Sequence, residues 1–426
     1  MTVSNNTMSR KSIFYAAVGA GIEWFDFTAF IFVAGYISHL FFPSGDPSVA
    51  LMSTFGVFAA GYIMRPIGGI FFGNLGDKIG RKKVIIIAMM CITVSIFIMA
   101  VLPTYDQIGI TAVVVMLFAR MLQGFSVGGE YNGVLVMLLE QAPDHRRGFV
   151  TSWGTMVSGT GTLVSSLVVM ALVYMLSDEQ MLAWGWRVPF IIGFFLSIGV
   201  LYLQFQMDDS PHFKEVENAH HVKQTPILTA LRTHKKELIQ VFCLTGFLGV
   251  AYYTAAAFLP AYLKEIIQIP YTHAMLITSV AAATYAFTAP FWGALSDRVG
   301  RKPILLISSI LLAVLAYPLF WLLTLNSLMI MIAVGVVLML IVSAATAVFV
   351  TTINEAFPTA IRFSAVGASY NVANAIFGGT TPLVATYLIY QTHSDIAPSF
   401  YLIFVSVAII GIILWMKETR WTELED

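Results

Sequence analysis

"GNLGDKIGRKK" occupies residues 73–83, and "GALSDRVGRKP" nearly repeats it at 293–303, with Asp77 and Asp297 offset by 220 positions. The first copy sets five charges in seven positions of a chain in which only 11% of residues are charged. A second pair, "EQAPDHRR" (140–147) and "EAFPTAIR" (355–362), repeats Glu, then Pro three residues on, then Arg seven residues on, at an offset of 215. Two motif pairs recurring at nearly one offset imply a duplicated chain built from parallel repeats.

The rest of the 426 residues is strongly apolar: 58% are hydrophobic and 13% aromatic, against roughly 45–50% apolar in soluble domains. Stretches 84–102, 188–203 and 399–416 contain no charge at all. About 20 apolar residues cross a ~30 Å hydrocarbon core. Splitting the apolar runs at charged or Pro/Gly-rich breaks predicts twelve spans, near 12–40, 50–73, 84–103, 108–139, 149–176, 185–207, 236–263, 272–295, 303–325, 327–355, 363–390 and 398–416. The expected fold is therefore an all-α polytopic membrane protein, with twelve transmembrane helices in two six-helix pseudo-repeated bundles. The bundles are expected over 1–207 and 236–426, joined by a polar linker at 208–235.

Lys and Arg concentrate in cytoplasmic loops. Placing both termini and the linker inside puts 19 of the 23 basic residues there. Arg187 and Lys264 then lie at the outer face, and Arg65 and Arg120 fall within spans. Arg10 and Lys11 precede an apolar run as in a signal peptide, but Glu23 and Asp26 interrupt it, so a retained first helix is expected. The expected location is a bacterial inner membrane.

Other functions lose support. A net charge of zero suggests no nucleic-acid partner. Cys91 and Cys243 sit in separate predicted helices without ligand spacing, so neither disulfide nor metal site is expected. All eight histidines fall in loops or at span ends, which disfavours a histidine proton relay, and metal binding by His220 and His221 is not expected. There is no G-x-x-x-x-G-K loop ending in Ser or Thr, no G-x-S-x-G elbow and no Cys-His pair. An enzyme, an ATP-driven pump and a bound cofactor are accordingly disfavoured.

The loop motif resembles the major facilitator superfamily, whose signature between helices two and three is G-x-x-x-D-x-x-G-R followed by two basic residues; here it is Gly73, Asp77, Gly80, Arg81, Lys82 and Lys83. Within that superfamily "EWFDF" (23–27), "RPIGGIFFGNLGDKIGRKK" (65–83), "QGFSVGGEY" (123–131), "WGWRVPF" (184–190) and "FGGTTP" (377–382) resemble the metabolite:proton symporter family. That resemblance covers nearly the whole chain. It implies proton-driven uptake of a solute such as proline, glycine betaine, 2-oxoglutarate, citrate or shikimate. Osmosensing carriers of this family often carry a long C-terminal coiled coil; ten residues follow the last predicted span here, so regulation of that kind is not expected.

Buried charges are the candidates for the chemistry. Glu23 and Asp26 are three residues apart and share a helix face. Counted from Lys11, Glu23 lies about 18 Å deep, where a carboxylate must pair, protonate or meet water. The two are candidates for proton coupling, the alternative being structural partners for a neighbouring helix. Arg120, Gln123 and Glu130 fall at about 0°, 300° and 280° around their helix, an arc expected to face a central cavity. Arg120 can hold a carboxylate ionised, or release it when a substrate carboxylate competes; the resemblance places Arg120 at the basic position of the superfamily's fourth-helix motif. The alternative is a static ion pair that fixes packing. Arg65 either touches solute or snorkels to hold the inner gate. Gly124 and Gly128 form a G-x-x-x-G for close helix approach.

Trp24, Phe25, Tyr131, Tyr252, Tyr253, Tyr370 and Trp292 could cage a quaternary ammonium, with ordinary packing as the alternative. Asn371 and Asn374 could hydrogen-bond a solute or neighbouring helices. Each repeat is expected to form a cytoplasmic charge cluster, Asp77, Arg81 and Glu140 in the first and Asp297, Arg301 and Glu355 in the second, that latches the outward-open state and breaks when the halves rock; topology anchoring alone is the alternative. The favoured function is proton-coupled symport of a small carboxylate-bearing metabolite or zwitterionic osmolyte by a monomer in the lipid bilayer. A di- or tricarboxylate carrier and a non-transporting sensor are the alternatives. The absence of a mid-membrane Lys or Arg in the second repeat disfavours a tricarboxylate.

Overall fold

A computed structural model describes the backbone of residues 10–43, 45–79, 81–140, 142–206 and 231–420; within these, the side chains at 10–17, 73–74, 76–78, 81, 129–135, 137, 140, 144, 359–360 and 363 lie outside the description. Among the described residues, eleven helices are long and apolar enough to cross a membrane, and a bent pair makes a twelfth span. The first span is α1 (Arg10–Phe32) with α2 (Ala34–Phe41), bent by 57° at Val33. Then come α3 (Pro47–Ile79), α4 (Arg81–Val101), α5 (Ile110–Glu140), α6 (Arg147–Met175) and α7 (Val188–Phe205). The last six spans comprise α8 (Lys235–Tyr252), α9 (Tyr271–Val299), α10 (Arg301–Leu323), α11 (Leu328–Glu355), α12 (Thr359–Ala373) with α13 (Thr381–Thr392), and α14 (Ala397–Trp415). All twelve expected spans are present.

Two spans are irregular for a visible reason. After α8 the chain takes wide π-helical turns at Tyr253–Phe258 and Tyr262–Ile266, and Asn374–Gly378 does the same after α12. Pro260 follows the first of these segments and Pro382 the third; a proline ring clashes with the carbonyl four residues back and supplies no N–H. Those carbonyls belong to Ala256 and Gly378, inside the first and third segments.

Glycines set the closest approaches. On α3 and α5, a Cβ on Gly124 would run into the Gly61 carbonyl, and one on Gly128 into the Arg65 carbonyl. The expected G-x-x-x-G thus packs against α3. Between the first and last six spans, α6 and α9 meet in the same way through Gly148 and Gly293. Arg147, Arg298, Arg301, Lys302, Arg362 and Arg420 gather at this end of the molecule, hereafter the basic end.

Because no space exists for a methyl group at residue 124, Gly124→Ala is expected to destabilise the protein by about 2–3 kcal/mol. Nothing lies within 4 Å of a Cβ at Gly199, so Gly199→Ala is expected to leave the melting temperature in detergent unchanged. Equal melting of the two variants would refute the packing argument.

Candidate transport site

α1 and α5 bring three polar side chains together inside the first six spans. Arg120 Nη1 donates to Gln123 Oε1, Gln123 Nε2 donates to Asp26 Oδ2, and the Arg120–Asp26 ion pair measures 3.9 Å. Each residue is 1% exposed. The guanidinium sits 4.3 Å from the Phe30 ring centroid and 4.8 Å from that of Phe27, so aromatic faces supply part of the stabilisation that water would give. Asp26 Oδ1 and Arg120 Nη2 are buried with no hydrogen-bond partner among the described residues. The cluster therefore holds its charge with capacity to spare at both ends. Its direction corrects an expectation: the Arg120–Gln123 arc turns toward α1, not toward the central cavity, because Asp26 is the carboxylate within its reach. The side chains of Glu130 and Tyr131 lie outside the described residues.

Arg65 does not snorkel. It is 2% exposed, with its guanidinium carbon 5.1 Å from the Tyr62 ring centroid and 5.9 Å from that of Tyr370. Glu23, also buried, acts electrostatically on both Arg65 and Tyr370. Arg65 Nε has no hydrogen-bond partner among the described residues.

A cavity of about 40 Å3 lies between the first and last six spans, with Trp24 on one side and Tyr252, Tyr253, Tyr285, Tyr370 and Asn374 on the other. Trp24 meets Tyr252 edge-on at 5.4 Å and stacks on Tyr253 at 6.5 Å. The Tyr62 and Tyr253 hydroxyls share a hydrogen bond, and Tyr252 shares one of 3.1 Å with Thr162. This volume holds waters but no larger solute, so the walls must separate to admit one. Asn371 lies elsewhere, its Nδ2 donating 2.9 Å to the Gly128 carbonyl. Gln123 is committed to Asp26. Phe25 lies against Gly193 on α7, and Trp292 against Phe291; neither lines the cavity. Sequence reasoning missed Tyr62 and Tyr285. Tyr62 carried a signal, since it precedes Arg65 by one helical turn, whereas no spacing marks Tyr285.

At the basic end, Asp297, Arg301 and Glu355 assemble. Arg301 Nη1 is 2.8 Å from Asp297 Oδ1, and Nη2 is 3.2 Å from Glu355 Oε1. The Asp297 carboxylate also accepts from the backbone N–H groups of Gly148 and Phe149, both at 2.8 Å. An anion at a helix N-terminus meets unsatisfied amides and the positive end of the dipole, so Asp297 ties α9 to α6. Arg147 lies 3.9 Å from Glu355, and Thr151 and Thr351 hydroxyls meet at 2.5 Å. The Glu418 carboxylate caps α10 by accepting from Arg301 N and Lys302 N, and Thr419 donates to Glu355. Arg362 Nε donates to the Asn354 carbonyl at 2.8 Å, which explains the Glu-to-Arg spacing of 355–362: the arginine returns to the end of α11. In the first repeat, the side chains of Asp77, Arg81 and Glu140 lie outside the described residues.

Twelve membrane helices enclosing a central cavity, buried ion pairs and a closed end define a multi-pass membrane transporter. The chain belongs to the major facilitator superfamily, a family of transporters and not of enzymes: the Sugar (and other) transporter model matches residues 12–242 and the Major Facilitator Superfamily model residues 241–423. It is 35% identical over 430 residues to the glycine betaine/proline/ectoine/pipecolic acid transporter OusA of Dickeya dadantii (strain 3937), covering 98% of this chain and 85% of the relative. The proline/betaine transporter of Escherichia coli (strain K12) matches with the same identity and coverage. Among solved structures, the partially occluded inward open xylose transporter XylE from E. coli superposes with a TM-score of 0.78 at 18% identity, covering 97% of this chain and 99% of that one. That likeness is one of fold.

The Thr151–Thr351 contact makes a direct test of the closed end. With Cys91 and Cys243 replaced by Ser, a Thr151→Cys/Thr351→Cys pair is expected to cross-link under mild oxidation, to arrest transport and to recover with reductant. Absence of cross-linking in membranes would show that these faces do not meet.

Proposed function

We propose that this chain is a proton-coupled symporter of a small zwitterionic osmolyte of the proline/betaine type. It works as a monomer by alternating access in a bacterial inner membrane, with both termini cytoplasmic. The bundles 1–207 and 236–426 move about the central cavity, joined by the linker 208–235. The observation that carries the solute class is the cavity lining, which is aromatic on two sides and holds no charged side chain. Aromatic faces stabilise a quaternary ammonium without a counter-charge, whereas a dianion needs cations that this lining lacks. The names of the relatives support the same class.

Coupling is assigned to Asp26, through Gln123 and Arg120. Trp24 and Asp26 share α1, so the carboxylate that binds α5 and the ring that walls the cavity move as one body. With Asp26 ionised, Arg120 and Gln123 hold α1 against α5. Protonation removes the charge from the pair, loosens that hold and frees α1 to follow the solute. Glu23, which acts electrostatically on Arg65 and Tyr370, is a second candidate for the proton, and Glu130 a third. Trp24, Tyr252, Tyr253, Tyr370 and Asn374 contact solute, with Arg65 and Tyr131 as an outer set that Gln123 and Asn371 join only on leaving Asp26 and the Gly128 carbonyl. The two loop clusters, Asp77, Arg81 and Glu140 with Asp297, Arg301 and Glu355, latch the cytoplasmic gate, and Asp297 must leave the α6 amides when the gate opens.

The test is uptake in proteoliposomes of labelled glycine betaine, proline, 2-oxoglutarate and citrate under an imposed proton gradient. Glycine betaine and proline are expected to accumulate, and a protonophore to abolish accumulation. Asp26→Asn is expected to lose accumulation by more than tenfold while solute counterflow stays within a few-fold of the parent. Accumulation that ignores the protonophore would refute the coupling. A preference for 2-oxoglutarate or citrate would replace the zwitterion with a carboxylate, and absence of counterflow for every solute would favour a non-transporting sensor.

A further inference from the structure

At the end of the molecule opposite the basic end, a chamber of about 450 Å3 lies between the first and last six spans, within the ~300–1,000 Å3 of small-molecule sites. Tyr36, His39 and Asp178 line one side, and Lys264, Glu265 and Tyr271 the other. The Tyr36 and Tyr271 rings meet edge to face with centroids 5.8 Å apart. Tyr36 Oη donates to Asp178 Oδ1 at 3.0 Å, and Tyr271 Oη donates to the Phe32 carbonyl at the α1–α2 bend. Both hydroxyls are thus engaged, and the rings, though mostly buried, contribute their carbon surface to the chamber wall. Residue 35 is glycine at a position where a Cβ would stand 2.7 Å from Glu265 Oε1, so a bare backbone makes room for that carboxylate. Glu265 makes no hydrogen bond or ion pair among the described residues, and its electrostatic neighbours are His39 and Lys264. Lys264 Nζ lies 6.0 Å from the Tyr271 ring centroid. The lining sets two acidic side chains, Asp178 and Glu265, against a single lysine, Lys264.

We propose that this chamber is a first docking site for a small zwitterion, with its ammonium group against Glu265 and the Tyr36–Tyr271 rings and its carboxylate toward Lys264, occupied before the solute reaches the central cavity. The proposal rests on the zwitterion reading of the function and adds a second place where that solute is held. A half-buried carboxylate without a partner is costly, and a ligand cation removes that cost while the rings add cation–π attraction. A dianion meets two carboxylates and one lysine, so the net charge rejects it. The Tyr271–Phe32 bond lies across the joint between the first and last six spans, so a solute in the chamber sits on the bend of the first span.

The experiment uses the full chain in nanodiscs with Cys91→Ser, Cys243→Ser and Gln268→Cys, since Gln268 also lines the chamber. A thiol reagent bearing trimethylammonium is expected to react with the thiol introduced at position 268 about fivefold or more faster than a neutral reagent of equal size, and glycine betaine, but not 2-oxoglutarate, to slow it. Glu265→Gln is expected to remove both effects; Lys264→Gln keeps the cation preference but weakens protection by glycine betaine. Trp24→Leu, at a residue that lines the central cavity and not the chamber, leaves protection intact. In proteoliposomes Glu265→Gln raises the half-saturating glycine betaine concentration severalfold with the maximal rate within twofold. Equal reagent rates, protection that survives Glu265→Gln or protection that vanishes with Trp24→Leu would overturn the proposal. If the parent chain accumulates neither glycine betaine nor proline, the zwitterion reading of transport falls, while the labelling result still decides the chamber.

Discussion

A charge at the centre of a bilayer costs roughly 2.5–3.5 kcal/mol even on the most lenient scale, and the interior of this protein is arranged to answer that cost. Asp26 and Arg120 compensate each other through Gln123, and Arg120 gains two phenylalanine faces. Arg65 lies over two tyrosines with Glu23 acting on it. In neither case is every polar atom satisfied: Asp26 Oδ1, Arg120 Nη2 and Arg65 Nε are buried without hydrogen-bond partners among the described residues. A fully saturated network would be a rigid strut. An incompletely satisfied one leaves polar atoms able to take a further partner.

The basic end is held together differently. Asp297 does not bind a cation across the gap between the first and last six spans; it accepts from the first amides of α6. The close approach of Gly148 and Gly293 makes this possible, because any side chain there would hold the helices apart. Arg301 then neutralises Asp297 and Glu355 together, so the loop arginine compensates the charges at the closed end without itself crossing it.

The aromatic cavity and the larger chamber also differ in kind. One is small, about 40 Å3, with an uncharged lining, and the other is about 450 Å3 with charged side chains in its wall; Tyr271 lines the larger and Tyr253, bonded to Tyr62, the smaller. Selectivity by net charge suits a roomy chamber. Selectivity by ring contact suits a tight cavity with room for only a few waters, where a low effective dielectric makes each contact worth more.

The twelve spans were legible in the chain because an apolar run of sufficient length has one fate in a bilayer, and charged loops can lie only outside it. The duplication was legible from the recurrence of the 73–83 and 140–147 motifs, and Arg120 was expected to hold a carboxylate, although the sequence did not say that Asp26 would be the one. Helical spacing did not tell which way Arg120 and Gln123 turn, since an arc on a helix has no address until its neighbours are known. The same gap hid the engagement of Asn371 with Gly128, the place of Tyr285 and the seating of Asp297 on the amides of α6. Those contacts join residues more than a hundred positions apart or on different helices, and only the packing of one helix against another, set by glycines and by the size of facing side chains, decides them.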